Sequence, residues 1–312
     1  MSGTPGEWMF AQLRGSCRLV AMSNPSRQRT CEAWPAPAKL NLFLHVVGRR
    51  DDGYHLLQTA FQFLDVGDTL RVAPRGDGVI RRVTEIEGLP ANSDLVVRAA
   101  RLLKEATGTA LGADLQLEKR LPMGGGLGGG SSDAATTLVV LNHLWGTALA
   151  LSDLADLGLH LGADVPVFVH GRAAWAEGVG ERLTPIDLPE PWYLVVLPPC
   201  AVATAEVFAA PELTRDCRAI TIDGFLSGRA EATNVCEPVV RRRYAPVASA
   251  LDWLARYGAA RMTGTGAAVF AMFSARRSAE RAFAELPPEW QGFVARGMNH
   301  SPLLSCLESD TA

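Results

Sequence analysis

The chain has 312 residues, of which 48% are hydrophobic and 20% are charged, and its formal net charge is −3. This composition is typical of a globular protein with a large core, and the length fits two domains of ordinary size. The slightly acidic balance argues against non-specific nucleic-acid binding, and no apolar run approaches the length of a membrane span.

The N-terminal 29 residues differ from the rest of the chain, because they have no clear hydrophobic period and no apolar core of a signal peptide. They contain arginines and little acid, which leaves a transit peptide open. The pattern favours a disordered N-terminal extension over residues 1–29, or a true start at Met22. Six scattered cysteines without a CxxC pair predict reduced thiols in a cytoplasmic protein, not a disulfide framework or a zinc site: Cys17, Cys31, Cys200, Cys217, Cys236 and Cys306.

The first clear element is a strand over Ala38–Val47, in which apolar and polar residues alternate. Its leucines fall on one face, so Lys39 and Asn41 project together from the other. From the alternation alone, the better interpretation of that second face is a solvated surface.

Further strands and helices follow in irregular alternation, which predicts an α+β fold in two lobes. We expect an N-terminal ATP-binding and catalytic domain over 30–182 and a C-terminal substrate-binding domain over 183–312. The remaining predicted strands lie near 59–64, 69–72, 113–121, 192–199, 267–273 and 292–297, and the predicted helices near 92–108, 131–144, 152–161 and 278–286.

A glycine-rich segment, PMGGGLGGGSSDAA, spans Pro122–Ala135 immediately before and into a predicted helix. Consecutive glycines can adopt positive φ and let a ligand approach the main chain, where their N–H groups can form an anion-binding concavity. The helix start at Ser131 and Ser132 adds unpaired N–H donors and a partial positive charge. A flexible linker is the weaker alternative, because linkers rarely open directly into an apolar helix. The segment therefore predicts a polyphosphate site.

Three familiar phosphate-binding motifs do not fit this segment. A Walker A loop needs a lysine before the serine, and Gly130 stands there. A GxGxxG match through Gly124, Gly126 and Gly129 is weak evidence in such a run, and no buried strand leads directly into it. The HRD and DFG sequences of protein kinases are absent from the chain.

A phosphate loop without its own lysine must obtain positive charge from another part of the chain. Phosphoryl transfer depends on positioning and charge stabilisation, so the site also needs Mg²⁺ and a carboxylate beside the acceptor hydroxyl. Lys39 is a candidate cation, and Asp164, in the GADVP segment 162–166, is a candidate carboxylate. Taken alone, Asp164 is more often an aspartate of a turn or a helix end.

The glycine-rich segment resembles the second signature of the galactokinase, homoserine kinase, mevalonate kinase and phosphomevalonate kinase superfamily. A second small-residue loop, MTGTGAAVF over Met262–Phe270, resembles the third signature. Together with PAPAKLNLFLHVVGRRDDGYH, GADVPVF and GVGE, these segments resemble the 4-(cytidine 5′-diphospho)-2-C-methyl-D-erythritol kinase family. The resemblance runs from about Trp34 to about Leu304, with five separated motifs in the family's order.

This resemblance implies a two-lobed kinase with its active site in the cleft between the lobes. The implied reaction is ATP-dependent phosphorylation of the 2-hydroxyl of the methylerythritol moiety, in the non-mevalonate route to isoprenoid precursors. Asp164 is then the general base, and Lys39 is the cation that steadies it and the developing charge. The implied ATP-binding residues are Pro122, Met123, Gly124, Gly125, Gly126, Leu127, Gly128, Gly129, Gly130, Ser131 and Ser132.

For the substrate, the resemblance implies that Asn41 and Thr204 contact the methylerythritol end. It implies that Tyr54 and Phe208 sandwich the cytosine, while His55 binds the edge of the base. The second loop is expected to close over the site and to contribute Gly264, Thr265 and Gly266. No residue is a clear Mg²⁺ ligand, although Ser132 is a candidate helper and Asp133 is either a helix-start residue or a metal contact.

Two alternatives stay open at this point. Another small-molecule kinase of the superfamily, acting on homoserine or mevalonate, would share the loops and the lysine–aspartate chemistry but would not need the aromatic pocket. A nucleotide-binding regulator would need the phosphate site but neither Lys39 nor Asp164. We expect a cytoplasmic monomer or weak homodimer that acts on a small molecule, without nucleic-acid or membrane partners.

Overall fold

The structure is a computed structural model that describes residues 32–310, so the predicted N-terminal extension over 1–29 lies outside the described residues. The strands within this range are β1 (Glu32–Arg49), β2 (His55–Arg75), β3 (Ile80–Arg82), β4 (Gly112–Glu118), β5 (Ala174–Glu177), β6 (Arg182–Pro185), β7 (Trp192–Leu197), β8 (Arg261–Met262), β9 (Val269–Phe273) and β10 (Gln291–Met298). The helices are α1 (Leu95–Thr107), α2 (Gly129–Trp145), α3 (Leu151–Leu159), α4 (Val165–His170), α5 (Thr204–Ala209), α6 (Ile222–Leu226), α7 (Glu237–Arg243), α8 (Ala245–Leu254), α9 (Arg276–Ala284) and α10 (Pro302–Asp310).

The sheet is organised around β2, which is 21 residues long. Strand β1 pairs with it in antiparallel fashion along one edge. On the other edge β2 pairs in turn with β5, β10 and β4. From β10 the sheet continues through β7, β9 and β8. The two strands predicted near 59–64 and 69–72 are therefore parts of one strand, because pairing with β1 continues across the polar residues between them.

Two hydrophobic clusters form the cores of two lobes. The first lies between α1–α4 and the strands around β2, and it includes the fully buried Leu70, Leu103 and Leu138. The second lies between β7, β9 and α7–α9, and it includes Leu194 and Val240. The predicted two-lobed α+β fold is confirmed, since helices cover separate parts of one mixed sheet.

The chain returns to the N-terminal lobe at its end, where β10 pairs with β2 and Leu303 of α10 is buried in the first cluster. Arg182, the last residue of the predicted N-terminal domain, is the first residue of β6, and β6 pairs with β5. The division into 30–182 and 183–312 stays a prediction.

Local sequence signals explain the ends of α1. The Asp94 carboxylate accepts a hydrogen bond from the Val96 N–H, and Gly108 ends the helix with a φ of +66°. Both are standard cap arrangements, as the sequence predicted. Cys200, Cys217 and Cys236 form no disulfide. Within residues 32–310, no helix combines the length and apolar character that crossing a membrane requires.

Candidate active site

Lys39 and Asn41 lie side by side on β1, as the alternation predicts, but the face that they occupy is buried. Their exposed fractions are 2% and 4%. The Lys39 Nζ donates hydrogen bonds to Asn41 Oδ1 at 2.6 Å and to the Gly126 carbonyl at 3.1 Å. The interpretation as a solvated face is therefore wrong, because contacts from the glycine loop, distant in sequence, cover it. A buried ammonium also requires compensating charge.

Asp164 supplies that charge, since its Oδ2 lies 3.1 Å from the Lys39 Nζ. Asp164 stands at the N-cap position of α4, yet its side chain caps no backbone N–H there. The lysine side chain is 3% exposed and the aspartate side chain 34% exposed. The pair thus joins a buried cation to a carboxylate that a substrate hydroxyl can reach.

Asn41 is held by two further groups besides Lys39. Its Nδ2 donates to Thr59 Oγ1 at 3.0 Å, and its backbone N–H donates to Thr263 Oγ1 at 2.9 Å. The Thr59 hydroxyl in turn donates to the Phe43 carbonyl. These bonds orient the Asn41 oxygen towards Lys39. Because both ends of its amide are bonded within the protein, its predicted contact with a substrate stays a prediction.

The glycine-rich segment forms a loop in which Gly124, Gly126 and Gly128 have φ values of +73°, +74° and +71°. At two of these three positions there is also no room for a side chain. A Cβ at Gly126 would lie 2.4 Å from the Thr263 carbonyl oxygen, and one at Gly128 would lie 2.9 Å from Lys39 Cε. The loop leads directly into α2, which begins at Gly129, two residues before the predicted start.

The two small-residue loops contact each other, although they are far apart in sequence. Thr263 Oγ1 donates to the Gly126 carbonyl at 3.2 Å, and the Ala268 N–H donates to the Gly125 carbonyl at 3.2 Å. In the second loop, Asn234 Nδ2 donates to the Met262 and Gly264 carbonyls, each at 2.8 Å. Gly264 and Gly266 have positive φ, and Thr265 Oγ1 lies 2.8 Å from Thr204 Oγ1. The expected proximity of the two loops is therefore present.

The N-terminal part of α2 contains two buried oxygen atoms without a hydrogen-bond partner among the described residues, Ser132 Oγ and Asp133 Oδ1. The other carboxylate oxygen of Asp133 accepts from Lys119 Nζ at 2.9 Å. Lys119 also pairs with Asp68, whose Oδ1 accepts the Leu121 N–H at 2.8 Å. No pattern in the sequence indicated Lys119 and Asp68 as neighbours of the loop.

This buried group contains two carboxylates and one ammonium. Burial raises the pKa of Asp133 to about 8, with Asp68 adding to the rise and Lys119 opposing it. Burial alone would lower the pKa of Lys119. The negative charges of Asp133 and Asp68 have the larger combined effect and raise the pKa of the lysine. The Asp68 Oδ1 accepts hydrogen bonds from the backbone N–H groups of Arg120 and Leu121, whereas Asp133 Oδ1 has no partner among the described residues.

Of the predicted nucleobase residues, Tyr54 lies directly before β2, His55 is the first residue of β2 and Phe208 lies in α5. The His55 and Phe208 rings stack, with centroids 5.1 Å apart and planes 24° apart. Tyr54 is 65% exposed, and its backbone N–H donates to Asp52 Oδ1 at 3.2 Å. Within the described residues His55, not Tyr54, stacks on Phe208. Arg215, which the sequence did not single out, donates from Nε to His55 Nε2 at 3.1 Å.

Comparison with known proteins supports the assignment of a two-lobed kinase fold. The family model described as GHMP kinases N terminal domain matches residues 94–172, and the one described as GHMP kinases C terminal matches residues 222–291. A protein of Nitrosococcus oceani named 4-diphosphocytidyl-2-C-methyl-D-erythritol kinase is 62% identical over 275 residues, covering 88% of this chain and 98% of its own length. Proteins of the same name from Alkalilimnicola ehrlichii and Pseudomonas aeruginosa are 61% and 58% identical, covering 89% and 88% of this chain and 96% and 97% of their own lengths.

The chain belongs to the 4-diphosphocytidyl-2-C-methyl-D-erythritol kinase family. A crystal structure of 4-(cytidine 5′-diphospho)-2C-methyl-D-erythritol kinase matches with a TM-score of 0.75 and 34% identity, covering 85% of this chain and 99% of that one. A homoserine kinase from Cytophaga hutchinsonii matches with a TM-score of 0.64 but only 15% identity, covering 91% of this chain and 98% of that one. The second match shows a shared fold alone. Members of the 4-diphosphocytidyl-2-C-methyl-D-erythritol kinase family are GHMP kinases, and the chain is accordingly an ATP-dependent kinase with a small-molecule substrate.

Proposed function

We propose that the chain transfers the terminal phosphoryl group of ATP to the 2-hydroxyl of 4-(cytidine 5′-diphospho)-2-C-methyl-D-erythritol, giving the 2-phosphate and ADP. This reaction belongs to the non-mevalonate route to isoprenoid precursors. Curated relatives that are 57–62% identical over most of the chain carry the name of this kinase. The structural observation that carries the proposal is the Lys39–Asp164 pair, which stands beside two mutually contacting glycine loops.

In this proposal Asp164 accepts the proton of the 2-hydroxyl, and Lys39, 3.1 Å away, holds the carboxylate in position. The Lys39 ammonium is itself held beside Asp164 by its hydrogen bonds to Asn41 and the Gly126 carbonyl. A positioned base of this kind contributes roughly 10²- to 10⁴-fold in rate. The remaining acceleration comes from alignment and charge stabilisation, which dominate phosphoryl transfer.

We further propose that the first glycine loop holds the phosphates of ATP. Three glycines of positive φ leave main-chain N–H groups without side chains in front of them, and α2 begins directly after them. Such a combination suits an anion. The residues assigned to this role are Pro122, Met123, Gly124, Gly125, Gly126, Leu127, Gly128, Gly129, Gly130, Ser131 and Ser132.

The start of α2 also fits Mg²⁺, the cation that we expect with ATP. Mg²⁺ binds oxygen atoms and takes many of its ligands from substrate phosphates and water. Ser132 Oγ and Asp133 Oδ1 are buried oxygens without a partner in the described residues, which contain no cluster of three or more His, Cys, Asp or Glu suited to a metal. We propose Ser132 as its protein ligand, because the raised pKa of Asp133 keeps that carboxyl largely protonated near neutral pH and argues against it as a ligand. When bound, the cation would neutralise charge on the transferring phosphoryl group.

For the acceptor substrate, we propose that Tyr54, His55 and Phe208 bind the cytosine. The hydroxyl groups of Thr204 and Thr265 are hydrogen-bonded to each other, and in this proposal they bind the methylerythritol end beside Gly264 and Gly266. Stacking of a base on an aromatic side chain contributes about 1–3 kcal/mol. At the methylerythritol end, Asn41 contributes chiefly by holding Lys39 in place.

A substrate panel tests the proposal. The purified chain is incubated with Mg-ATP and, separately, the cytidine-diphosphate substrate, mevalonate and homoserine, while ADP release is measured. We expect turnover with the cytidine substrate alone, and phosphorus NMR should locate the new phosphate ester on the 2-hydroxyl. Faster turnover with mevalonate or homoserine would overturn the assigned substrate while leaving the kinase assignment in place. Size-exclusion chromatography tests the predicted monomer or weak homodimer.

A further inference from the structure

Arg215 connects α5 to the start of β2 through its whole guanidinium group. Its Nη2 donates to the carbonyls of Phe208 and Ala210 at 2.8 and 2.7 Å, and its Nη1 donates to the Leu213 carbonyl at 3.0 Å. Its Nε donates to His55 Nε2 at 3.1 Å. One side chain thus fixes both members of the stacked His55–Phe208 pair, through the ring of one and the backbone of the other.

The bond to His55 determines where the imidazole carries its proton. An arginine side chain has only donors, so His55 Nε2 must be the acceptor. In the neutral ring the proton is then on Nδ1. Protonation of Nε2 would break the bond and place two cations against each other. His55 Nδ1 makes no hydrogen bond to another residue within the described part of the chain.

The charges around His55 support a neutral ring at physiological pH. Burial lowers the pKa of His55, and the positive charges of Arg215 and Arg49 lower it further. The nearby acids have their own partners: Asp52 pairs with Arg50 at 2.7 Å in the turn before β2. In α5, Glu206 accepts from the Tyr244 hydroxyl at 3.3 Å. The arginines thus dominate the charges that act on His55.

We propose that Arg215 is a positioning residue that makes His55 a fixed Nδ1–H donor and thereby selects cytosine over uracil. The inference rests on the proposed function, because it concerns the nucleobase of the proposed substrate. The His55 and Phe208 planes are 24° apart, so a base that stacks on the same face of Phe208, beside His55, lies nearly in the plane of the imidazole and meets it edge to edge. Cytosine presents ring nitrogen N3 as an acceptor, whereas uracil presents N3–H. A fixed donor therefore bonds one base and clashes with the other.

Steady-state kinetics with the cytidine substrate and its uridine counterpart test the selection. We expect the wild-type chain to prefer cytidine, and Arg215→Ala to reduce the cytidine-to-uridine ratio of kcat/KM by about tenfold, the value of one hydrogen bond. The loss should appear in KM for the cytidine substrate, with kcat and KM for ATP changed by no more than about twofold. Arg215→Lys, which keeps a charge but loses the fork, should show an intermediate loss. Arg218→Ala, an exposed position in the same segment, is the matched control and should behave as wild type.

The pH profile gives a second readout. In the wild-type chain, protonation of His55 Nε2 breaks its bond to Arg215 and releases the ring, so kcat/KM for the cytidine substrate falls as pH drops through the pKa of His55. Removing the Arg215 charge raises that pKa towards the ordinary value of about 6.5. In Arg215→Ala the imidazolium still carries Nδ1–H and no longer faces a guanidinium, so this acidic decline should be absent. Coincident declines would contradict the role of Arg215.

Nitrogen-15 NMR of histidine-labelled protein tests the tautomer without any substrate. We expect the His55 signals of the wild-type chain to show a protonated Nδ1 and a bare Nε2 at pH 7.5, and Arg215→Ala to shift the ring towards Nε2–H. A wild-type ring protonated on Nε2 overturns the inference, as does equal use of both nucleotides. An equal loss for ATP and both acceptors in Arg215→Ala overturns it too, since that result indicates only support of α5. The expected tautomer without turnover of the cytidine substrate would instead refute the proposed function.

Discussion

The Lys39 ammonium and the Asp164 carboxylate lie 3.1 Å apart, with the lysine side chain almost fully buried and the aspartate about one-third exposed. The two residues come from β1 and from the start of α4. This difference in exposure gives the two residues different roles in the site. A buried cation held by Asn41 and the Gly126 carbonyl is a fixed charge, and an accessible carboxylate is the member that can exchange a proton.

Replacement of Asp164 should separate chemistry from nucleotide binding. We expect Asp164→Ala and the isosteric Asp164→Asn to reduce kcat by roughly 10²- to 10⁴-fold, because the acceptor hydroxyl loses its base. Calorimetric titration should show ATP affinity close to that of the wild-type chain. Asp187→Ala, at a largely exposed carboxylate, is the control for loss of an acidic side chain. Unchanged turnover in Asp164→Ala would remove this residue from the mechanism.

The glycine loop offers a matched pair of substitutions. Gly124 and Gly126 have nearly the same positive φ, but a Cβ at Gly124 meets nothing within 4 Å, whereas one at Gly126 lies 2.4 Å from the Thr263 oxygen. We expect Gly124→Ala to show only the strain of its backbone conformation, about 1–2 kcal/mol. Gly126→Ala should in addition separate the two loops and raise KM for ATP at least tenfold more. Similar values of KM for the two variants would show that contact between the loops is unimportant.

Much of this fold could be predicted because the cap residues, the glycine run and the hydrophobic periodicity of the sequence agree with the elements that form. Residues Asp94 and Gly108 cap α1 as predicted, and the glycine run leads into α2 as predicted. The alternation in β1 correctly placed Lys39 and Asn41 together. It could not show which face is buried, since that depends on loops and strands from elsewhere in the chain.

Other parts of the site left no local signal. Lys119 and Arg215 stand in ordinary polar segments, and their importance comes from partners that the fold brings to them. The family resemblance named His55 and Phe208, but not the arginine that joins them. A single sequence carries periodicity and turn chemistry, whereas such long-range hydrogen bonds depend on how strands pair.

The exposed Tyr54 should act on the acceptor substrate and not on ATP. We expect Tyr54→Ala to raise KM for the cytidine substrate by roughly tenfold, since one stacking contact contributes about 1–3 kcal/mol. KM for ATP should stay within about twofold. Tyr54→Phe keeps the ring and should retain most of the affinity. Equal increases in both KM values for Tyr54→Ala would refute the assigned base pocket.

The buried Asp68–Lys119–Asp133 group should make stability depend on pH in an unusual direction. The folded pKa of Asp133 is about 8, above the ordinary aspartate value of 3.8. Between these values the folded chain holds a proton that the unfolded chain releases, so the free energy of unfolding contributed by Asp133 falls as pH rises. The slope is at most about 1.4 kcal/mol per pH unit.

Asp133→Asn removes this titration while keeping the side-chain shape. Denaturant unfolding at pH 5.5 and pH 8 should show the variant gaining stability relative to the wild-type chain as pH rises. Asp114→Asn provides the control, because Asp114 is paired with exposed Arg81 and its pKa is lowered instead. If the wild-type chain and Asp133→Asn keep the same difference in stability at both pH values, Asp133 is ionised throughout. The positive charge of Lys119 would then stabilise the negative charges of both Asp68 and Asp133.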